Sequence, residues 1–174
     1  YCHVRGAKVM LTLNTVMTDD ELPALLRQGE KAARAGVDWI IVQDLGIAAL
    51  LRQVCPGVRL CASTQMAIHT LDGARVAREL GMERVVLARE LSREEIGRIA
   101  ARAGIETEVF VHGALCMCLS GQCYLSAMIG GRSGNRGMCA QPCRLPFASR
   151  EREYGLSLKD MSLIEKIDQL QELG

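Results

Sequence analysis

Residues 39–62, WIIVQDLGIAALLRQVCPGVRLCA, contain the pattern that decides the fold. Two largely apolar runs flank a stretch in which apolar residues recur at helical spacing: Ile47, Leu50, Leu51 and Val54. Trp39–Val42 is continuously apolar, and Val58–Ala62 is interrupted only by Arg59. Apolar runs without alternation are typical of strands that are buried on both faces, and helical spacing indicates a helix with one apolar face. The stretch therefore predicts one strand–helix–strand unit of a parallel sheet.

The same alternation continues on both sides of this unit. Further apolar runs occupy Val9–Leu13, Val85–Leu87 and Glu108–His112, with a sixth candidate strand at Gly155–Lys159. Capping-box patterns at residues 18–21 and 92–95 mark the starts of two intervening helices. The repeat predicts an α/β fold, and we favour an incomplete (β/α) TIM-like barrel over an open doubly wound sheet. A closed eight-stranded barrel would need strands from outside this chain.

The composition restricts the classes of partner. The chain has 174 residues, of which 49% are hydrophobic, and 21 basic side chains nearly balance 20 acidic ones. A net charge of +1 gives no overall field that would attract nucleic acid or an anionic membrane, so any basic patch must be local. The sequence has neither a membrane-length apolar run nor a signal-peptide pattern, which predicts a cytoplasmic protein without a membrane partner.

In both architectures the loops at the C-terminal ends of the strands carry the chemistry. These loops are rich in polar residues: Asn14, Thr15, Gln43, Asp44, Ser63, Thr64, Gln65, Arg89, Glu90 and His112. Many of these residue types suit turns or helix caps. Gln43, Gln65, Arg89 and His112 are poor caps, and we predict that they are catalytic residues at the mouth of the barrel.

The repeat breaks down after the fifth predicted strand. Residues 113–152 lack a helical stripe and are rich in cysteine and glycine, and long irregular segments at a strand end are usually functional. The sequence therefore predicts β/α barrel units over residues 1–112, a cysteine- and glycine-rich insertion over residues 113–152, and a further β/α unit of the same domain over residues 153–174.

Five of the eight cysteines lie in this insertion: Cys116, Cys118, Cys123, Cys139 and Cys143. All but Cys118 together would supply the four thiolates that an iron–sulfur cluster needs. Zinc sites usually contain C-x2-4-C pairs, a spacing that Cys139 and Cys143 satisfy but Cys116 and Cys123 do not. Buried or redox-active thiols are a third interpretation. The spacing alone leaves all three open, and Cys118 has no assigned role.

Between the cysteines lies a glycine loop, residues 130–137, with the sequence GGRSGNRG. Its glycines allow backbone amides to converge on an anion, and Arg132 and Arg136 offer forked donors for a phosphate or carboxylate of a substrate. A flexible loop that wraps a metal site is the alternative interpretation. Arg144, Arg150 and Arg152 add positive charge nearby, so contact with RNA is compatible with this segment.

A cysteine-protease interpretation rests on His112 and Cys116. Such a pair needs a third orienting group and an oxyanion site, and the sequence shows neither. The sequence also lacks the G-x-S-x-G and H-E-x-x-H motifs. Ordinary protease chemistry therefore has little support from the residues.

Two segments of the insertion form a distinctive pair of motifs: EVFVHGALCMCLSGQCYLS (108–126) and GGRSGNRGMCAQPCRLPF (130–147). Further motifs lie before and after them: VMLTLNTVMTDDEL (9–22), WIIVQDLG (39–46), CASTQMAIHT (61–70), RVVLARELSREEI (84–96) and GLSLKDMSL (155–163). Together these motifs resemble the collagenase-like peptidase family, peptidase family U32. The resemblance covers nearly the whole chain, and the motifs occur in the family's order.

The resemblance implies a truncated barrel core from the central part of a longer protein, lacking two β/α units before it and a closing strand after it. Some members are described as collagen-degrading proteases, and others take part in oxygen-independent hydroxylation of RNA or quinone precursors. In the latter, four cysteines hold a four-iron four-sulfur cluster, and the matching positions here are Cys116, Cys123, Cys139 and Cys143. The glycine loop is most similar to the branch that hydroxylates ribosomal RNA.

The expected function is therefore iron–sulfur-dependent hydroxylation of RNA bases with a small-molecule oxygen donor. Two alternatives are a metal-assisted or cysteine peptidase that acts on collagen-like or unfolded peptides, and a non-catalytic fragment with a structural metal. Zinc is the alternative to the cluster.

Overall fold

The computed structural model describes residues 1–147 and 153–174. Five strands form a parallel sheet in chain order: β1 (Met10–Leu13), β2 (Trp39–Val42), β3 (Arg59–Ala62), β4 (Arg84–Val86) and β5 (Glu106–Glu108). The four connections contain α1 (Leu22–Arg34), α2 (Leu45–Val54), α3 (Leu71–Glu79) and α4 (Arg93–Arg102). Sequential order with a helix in every crossover is the arrangement of a partial (β/α) barrel, which confirms the predicted α/β fold.

The main core lies between the sheet and its helices. Alternate residues of β2 and β3, including Ile40, Val42, Leu60 and Ala62, are buried in one cluster with residues of all four helices. Trp39, Cys61 and Val86 form a second buried cluster, supported by Met10 and Ile41. Because strand residues alternate between faces, this second cluster lies on the other, barrel-interior face of the sheet.

The segment after β5 forms smaller elements. β6 (His112–Gly113) pairs antiparallel with β7 (Met161–Ser162), and α5 (Leu125–Gly130) and α6 (Ile167–Gln171) are short helices. Residues 148–152 at the end of the predicted insertion lie outside the described residues, and Arg150 and Arg152 lie there with them. The division into segments at residues 113 and 153 stays a prediction.

The fifth and sixth strands differ from the prediction. β5 comprises Glu106–Glu108 instead of Glu108–His112, because residues 106–108 are the ones that pair with residues 84–86 of β4. The carboxylates of Glu106 and Glu108 also bind Arg84 of β4, at 2.7 and 3.3 Å. The apolar run that follows β5 therefore leaves the sheet. Gly155–Lys159 forms a turn and irregular chain, and β7 begins at Met161.

Local sequence signals fix the helix starts. The side chains of Thr18 and Glu21 form the predicted capping box ahead of α1, and those of Ser92 and Glu95 form the second one at the start of α4. No helix within the described ranges is both long and apolar enough to cross a membrane.

Candidate functional site

A cavity of about 370 Å³ opens at the C-terminal end of the parallel strands. One part of its lining follows β1, β3 and β4: Asn14, Thr15, Thr64, Gln65 and Arg89. The other part comes from the insertion and includes four cysteines: Cys116, Cys123, Cys139 and Cys143. We call this space the thiol cavity. The fold thus brings the strand-end side chains and the four predicted ligands to one place.

Backbone amides donate to two of these sulfurs. The Leu125 N–H donates to Cys123 Sγ and the Gln141 N–H donates to Cys139 Sγ, each at 3.3 Å. Such donors stabilise negative charge on sulfur. Gly134 of the glycine loop also lies close to both cysteines, because a Cβ at this position would be 3.6 Å from Cys139 Cβ and 3.7 Å from the Cys123 carbonyl oxygen.

The thiols also influence one another electrostatically. Burial is the main cause that raises the pKa of Cys143; Arg144 opposes the shift, and Cys116 and Cys139 reinforce it. Within the described ranges, no three His, Cys, Asp or Glu side chains converge closely enough to hold a single metal ion. The four thiols therefore share a cavity without forming a preassembled site for one ion.

Cys118 differs from the other four cysteines of the insertion. It lies outside the lining of the thiol cavity, and its Sγ donates to the Gln122 carbonyl at 3.4 Å. Of the remaining thiols, Cys2 is exposed, whereas Cys55 and Cys61 are buried. Burial is the largest cause that raises the pKa of Cys61 to about 12, as expected for an inert core thiol.

The structure separates the four predicted catalytic residues into two pairs. Gln65 and Arg89 line the thiol cavity, and each has one buried polar atom, Oε1 and Nε respectively, without a hydrogen-bond partner in the described part of the chain. Gln43 lies outside the lining and donates to the Asn135 carbonyl at 3.4 Å, which ties the glycine loop to β2. His112 is exposed in β6 and is also outside the lining. The catalytic roles of all four residues stay predictions.

The two arginines of the glycine loop have different surroundings. Arg136 Nη1 donates to the Val16 carbonyl and to Glu21 Oε2, each at 3.0 Å, and Nη2 donates to Glu21 Oε1. Arg132 is exposed, and its Nε donates to the Met138 carbonyl at 3.1 Å. The Arg136 guanidinium thus binds residues of the first β/α unit and attaches the glycine loop to it. Contact of Arg132 and Arg136 with a substrate stays a prediction.

Sequence reasoning missed the role of Arg144. This residue lines the thiol cavity and donates to Asp160 at 2.7 Å, to Ser157 Oγ at 3.0 Å and to the Leu115 carbonyl at 3.3 Å. It therefore joins the segment of Cys143 to that of Cys116 and to the chain before β7. These partners are distant in sequence and follow no helical or strand spacing, so only its position next to Cys143 could have drawn attention to it.

Comparisons with known proteins give a consistent picture. The profile of Peptidase family U32 matches residues 1–174. The chain is 40% identical to the 23S rRNA 5-hydroxycytidine C2501 synthase of Escherichia coli, over 100% of this chain and 27% of that protein. It is 34% identical to the tRNA hydroxylation protein P1 of Bacillus subtilis, over 97% of this chain and 43% of the relative. A collagenase of Porphyromonas gingivalis is 32% identical, over 99% of this chain and 46% of that protein. The chain thus spans less than half the length of these relatives.

Two solved structures support the fold. The U32 peptidase Mk0906 superposes with a TM-score of 0.53 at 20% identity, over 65% of this chain and 49% of that chain. The putative copper homeostasis protein CutC from Streptococcus agalactiae superposes with a TM-score of 0.54 at 18% identity, over 63% of this chain and 64% of that chain. At these identities the likeness concerns the fold alone.

Proposed function

The chain belongs to peptidase family U32, and from this premise we propose that its protein is an iron–sulfur-dependent enzyme that hydroxylates RNA bases without molecular oxygen. The relatives named above as a 5-hydroxycytidine synthase and a tRNA hydroxylation protein support the substrate class. The observation that carries the proposal is the thiol cavity, in which four cysteines face polar side chains at the strand ends. Redox cofactor and substrate would then lie side by side.

The donor set matches the needs of an iron–sulfur cluster in number and in chemistry. Such a cluster takes four thiolates, and four cysteines line the thiol cavity. Zinc sites usually contain C-x2-4-C pairs, a spacing that, among these four, only Cys139 and Cys143 have. Cys116, Cys123, Cys139 and Cys143 would hold the cluster, which would supply electron transfer beside the substrate.

The chain's own side chains would bind and orient the base. A base must leave its stack to enter a cavity, where hydrogen bonds to its edge select it. Gln65 offers an amide and Arg89 a guanidinium, and the Arg89 guanidinium lies 5.5 Å from the centre of the Phe110 ring, which limits its orientation. We assign Arg132, exposed in the glycine loop, to a phosphate of the RNA backbone.

The reaction replaces a C–H bond of the base with C–OH, which oxidises the base by two electrons. We infer that a small-molecule oxygen-atom donor is the co-reactant. Its bond to oxygen breaks as the new C–O bond forms, and the donor keeps the electron pair and is reduced by two electrons. The displaced hydrogen ends on the new hydroxyl group, so atoms and electrons balance.

The peptidase alternative has weaker geometric support. Cys116 lines the thiol cavity, but His112 is exposed in β6, pairs across to Ser162 of β7 and lies outside the lining. A cysteine nucleophile needs its base within hydrogen-bond reach. The relative named collagenase is the observation that keeps this function worth testing.

The cofactor can be tested by anaerobic purification of the intact protein with quantification of iron and sulfide. We expect about four of each per chain, and each of Cys116→Ala, Cys123→Ala, Cys139→Ala and Cys143→Ala should lose most of this content. Cys118→Ala is the matched control and should keep it, because Cys118 lies outside the cavity lining. Stoichiometric zinc without iron, or equal losses in the control, would contradict the cluster.

The substrate can be tested in RNA from a strain that lacks the gene. Mass spectrometry of digested ribosomal and transfer RNA should show the loss of a hydroxylated nucleoside, restored by the wild-type gene and by Cys118→Ala but not by Cys139→Ala. Unchanged nucleosides, together with degradation of denatured collagen that disappears in Cys116→Ala, would favour the peptidase instead.

A further inference from the structure

Glu90 holds the loop that connects the first two predicted ligands. This residue follows β4 and is the neighbour of Arg89 in the lining of the thiol cavity. The Ser120 N–H donates to Glu90 Oε1 at 2.6 Å, and the Ser120 hydroxyl donates to Glu90 Oε2 at 2.9 Å. Ser120 lies between Cys116 and Cys123, so both hydrogen bonds fasten the middle of that loop to the barrel.

The loop adopts a backbone that needs such support. Ser120 is fully buried and has a φ of 43°, in the left-handed region that side chains other than glycine rarely occupy. Conformations of this kind persist where the surrounding structure holds them, and they concentrate at functional sites. The two hydrogen bonds from Ser120 to the Glu90 carboxylate can hold Ser120 in this conformation.

Neighbouring contacts place the same loop on the barrel mouth. A Cβ added to Gly121 would lie 3.5 Å from Arg89 Nη2, and the Gln122 side chain donates to the Gln65 carbonyl at 3.2 Å. Three consecutive loop residues thus contact the two strand ends that supply Arg89 and Gln65. The position of the loop and the position of these cavity side chains are therefore coupled.

The imidazole of His69 lies beside the Glu90 carboxylate. Its Nε2 lies 3.5 Å from Glu90 Oε2 and has no hydrogen-bond partner in the described part of the chain. Burial acts to raise the pKa of Glu90, while the two hydrogen bonds from Ser120 and the nearby His69 act in the other direction and leave the pKa below its usual value. The carboxylate is thus an anion that is held by its partners.

We propose that Glu90 is a positioning residue for the iron–sulfur site, because its contact with Ser120 sets the spacing of Cys116 and Cys123. This inference rests on the proposed function for the identity of the group, but the contact itself concerns only this chain's residues. Partners that hold metal ligands in place typically change metal affinity by about 10–100-fold when they are lost. Glu90→Ala should therefore weaken retention of the cluster without removing a ligand.

The test compares Glu90→Ala with Glu95→Ala in the intact protein. Glu95 is a matched control because its carboxylate also accepts a hydrogen bond from the backbone N–H of a serine, Ser92, at 2.7 Å. It lies at the start of α4, outside the lining of the thiol cavity. After anaerobic reconstitution, we expect iron release to a chelator to be about tenfold faster in Glu90→Ala than in wild type. Glu95→Ala should release iron at the wild-type rate, although both variants lose thermal stability.

A conservative variant separates positioning from general destabilisation. In Glu90→Gln the amide oxygen can still accept from the Ser120 N–H, and the amide nitrogen can donate to the hydroxyl. We expect this variant to recover most of the wild-type retention. Equal iron release from Glu90→Ala and Glu95→Ala, or no recovery in Glu90→Gln, would overturn the proposal.

Thiol alkylation of the iron-free protein gives a readout that does not depend on the cluster. We expect iodoacetamide to modify Cys116 and Cys123 several-fold faster in Glu90→Ala than in wild type, with the rates of Cys139 and Cys143 unchanged. If this holds but wild-type protein binds no iron, the proposed function fails and the positioning role stands. If the rates of Cys116 and Cys123 do not change, the positioning role fails.

Discussion

At the level of single residues, the ion pair between Arg136 and Glu21 joins the glycine loop to the first β/α unit. The hydrogen bond from Arg136 is the largest cause that lowers the pKa of Glu21 from an ordinary value of 4.5 to about 2, and hydrogen bonds from Thr18 add to it. Asn135 contributes a second link, because its carbonyl accepts from the Val16 N–H at 3.1 Å. The loop is thus attached to the barrel next to the thiol cavity.

This pair predicts a pH dependence of stability. Because the pKa of Glu21 is lower in the folded chain, the unfolded chain binds more protons between pH 4.5 and about 2, and folding stability falls as the pH drops through this window. We expect the stability difference between wild type and Glu21→Gln to be greatest above pH 4.5 and to vanish near pH 2. Urea midpoints measured at several pH values would show it.

The control for this experiment is Asp20→Asn, which changes an exposed carboxylate next to Glu21 in the 3-10 turn Asp19–Glu21 ahead of α1. It should leave the pH dependence close to that of wild type. A stability difference for Glu21→Gln that stays constant from pH 7 to pH 2 would contradict the assignment of the low pKa to Glu21.

At the level of elements, α1 and α2 approach each other closely at Gly29. A Cβ at this position would lie 2.6 Å from Leu51 Cδ2, and Leu51 is fully buried, so its side chain has little room to move. We predict that Gly29→Ala destabilises the chain by about 1–3 kcal/mol through overpacking, although alanine favours a helix. Denaturant unfolding would measure this change.

Gly57→Ala is the matched control, because a Cβ there would meet no atom within 4 Å and the backbone is not left-handed. It should change the free energy of unfolding by about 0.5 kcal/mol or less. A neutral Gly29→Ala would mean that α1 and α2 can separate without cost.

The elements also show which features sequence reasoning could find. β2 was predicted to the residue, and β1, β3 and β4 within one residue at each end, because apolar burial on both faces leaves a direct trace in the sequence. β5 was misplaced because its residues, Glu106–Glu108, are polar and form no apolar run, and their carboxylates contact Arg84, a partner 22 to 24 residues away. Such long-range pairing has no local signal.

At the level of the whole molecule, the thiol cavity also combines features that local sequence patterns predict with long-range contacts that they do not. The four cysteines could be singled out by residue type and family motif, and Gln65 and Arg89 by their place after strands. The insertion's attachment could not be foreseen, because Glu90 meets Ser120 across 30 residues and Arg136 meets Glu21 across 115. Side-chain contacts of this range depend on how an irregular segment folds back over the barrel.

The molecule therefore combines a scaffold with a packed core and an insertion held largely by polar contacts. The buried members of the main core lie between Leu13 and Ala103, and residues 113–147, the described part of the insertion, add none to it. Segments with few buried apolar contacts open locally at a lower free energy than the core. The thiol cavity spans both parts, so its stability is set by the weaker one.

This arrangement predicts two classes of hydrogen exchange in the intact protein. Without iron, amides of β2 and β3 should exchange slowest, and amides of residues 113–147 should exchange by local opening. Loading with iron and sulfide should slow exchange in the insertion by about tenfold or more, because opening must then release the bound group, and should leave β2 and β3 nearly unchanged. Mass spectrometry of peptic peptides would resolve the two regions, with Cys118→Ala as a loaded control and Cys139→Ala as one that cannot load. Equal protection of both regions in the iron-free protein would contradict this prediction, because the insertion would then unfold only together with the barrel. The polar contacts of Glu90, Arg136 and Arg144 would in that case hold the insertion as firmly as the core holds the sheet.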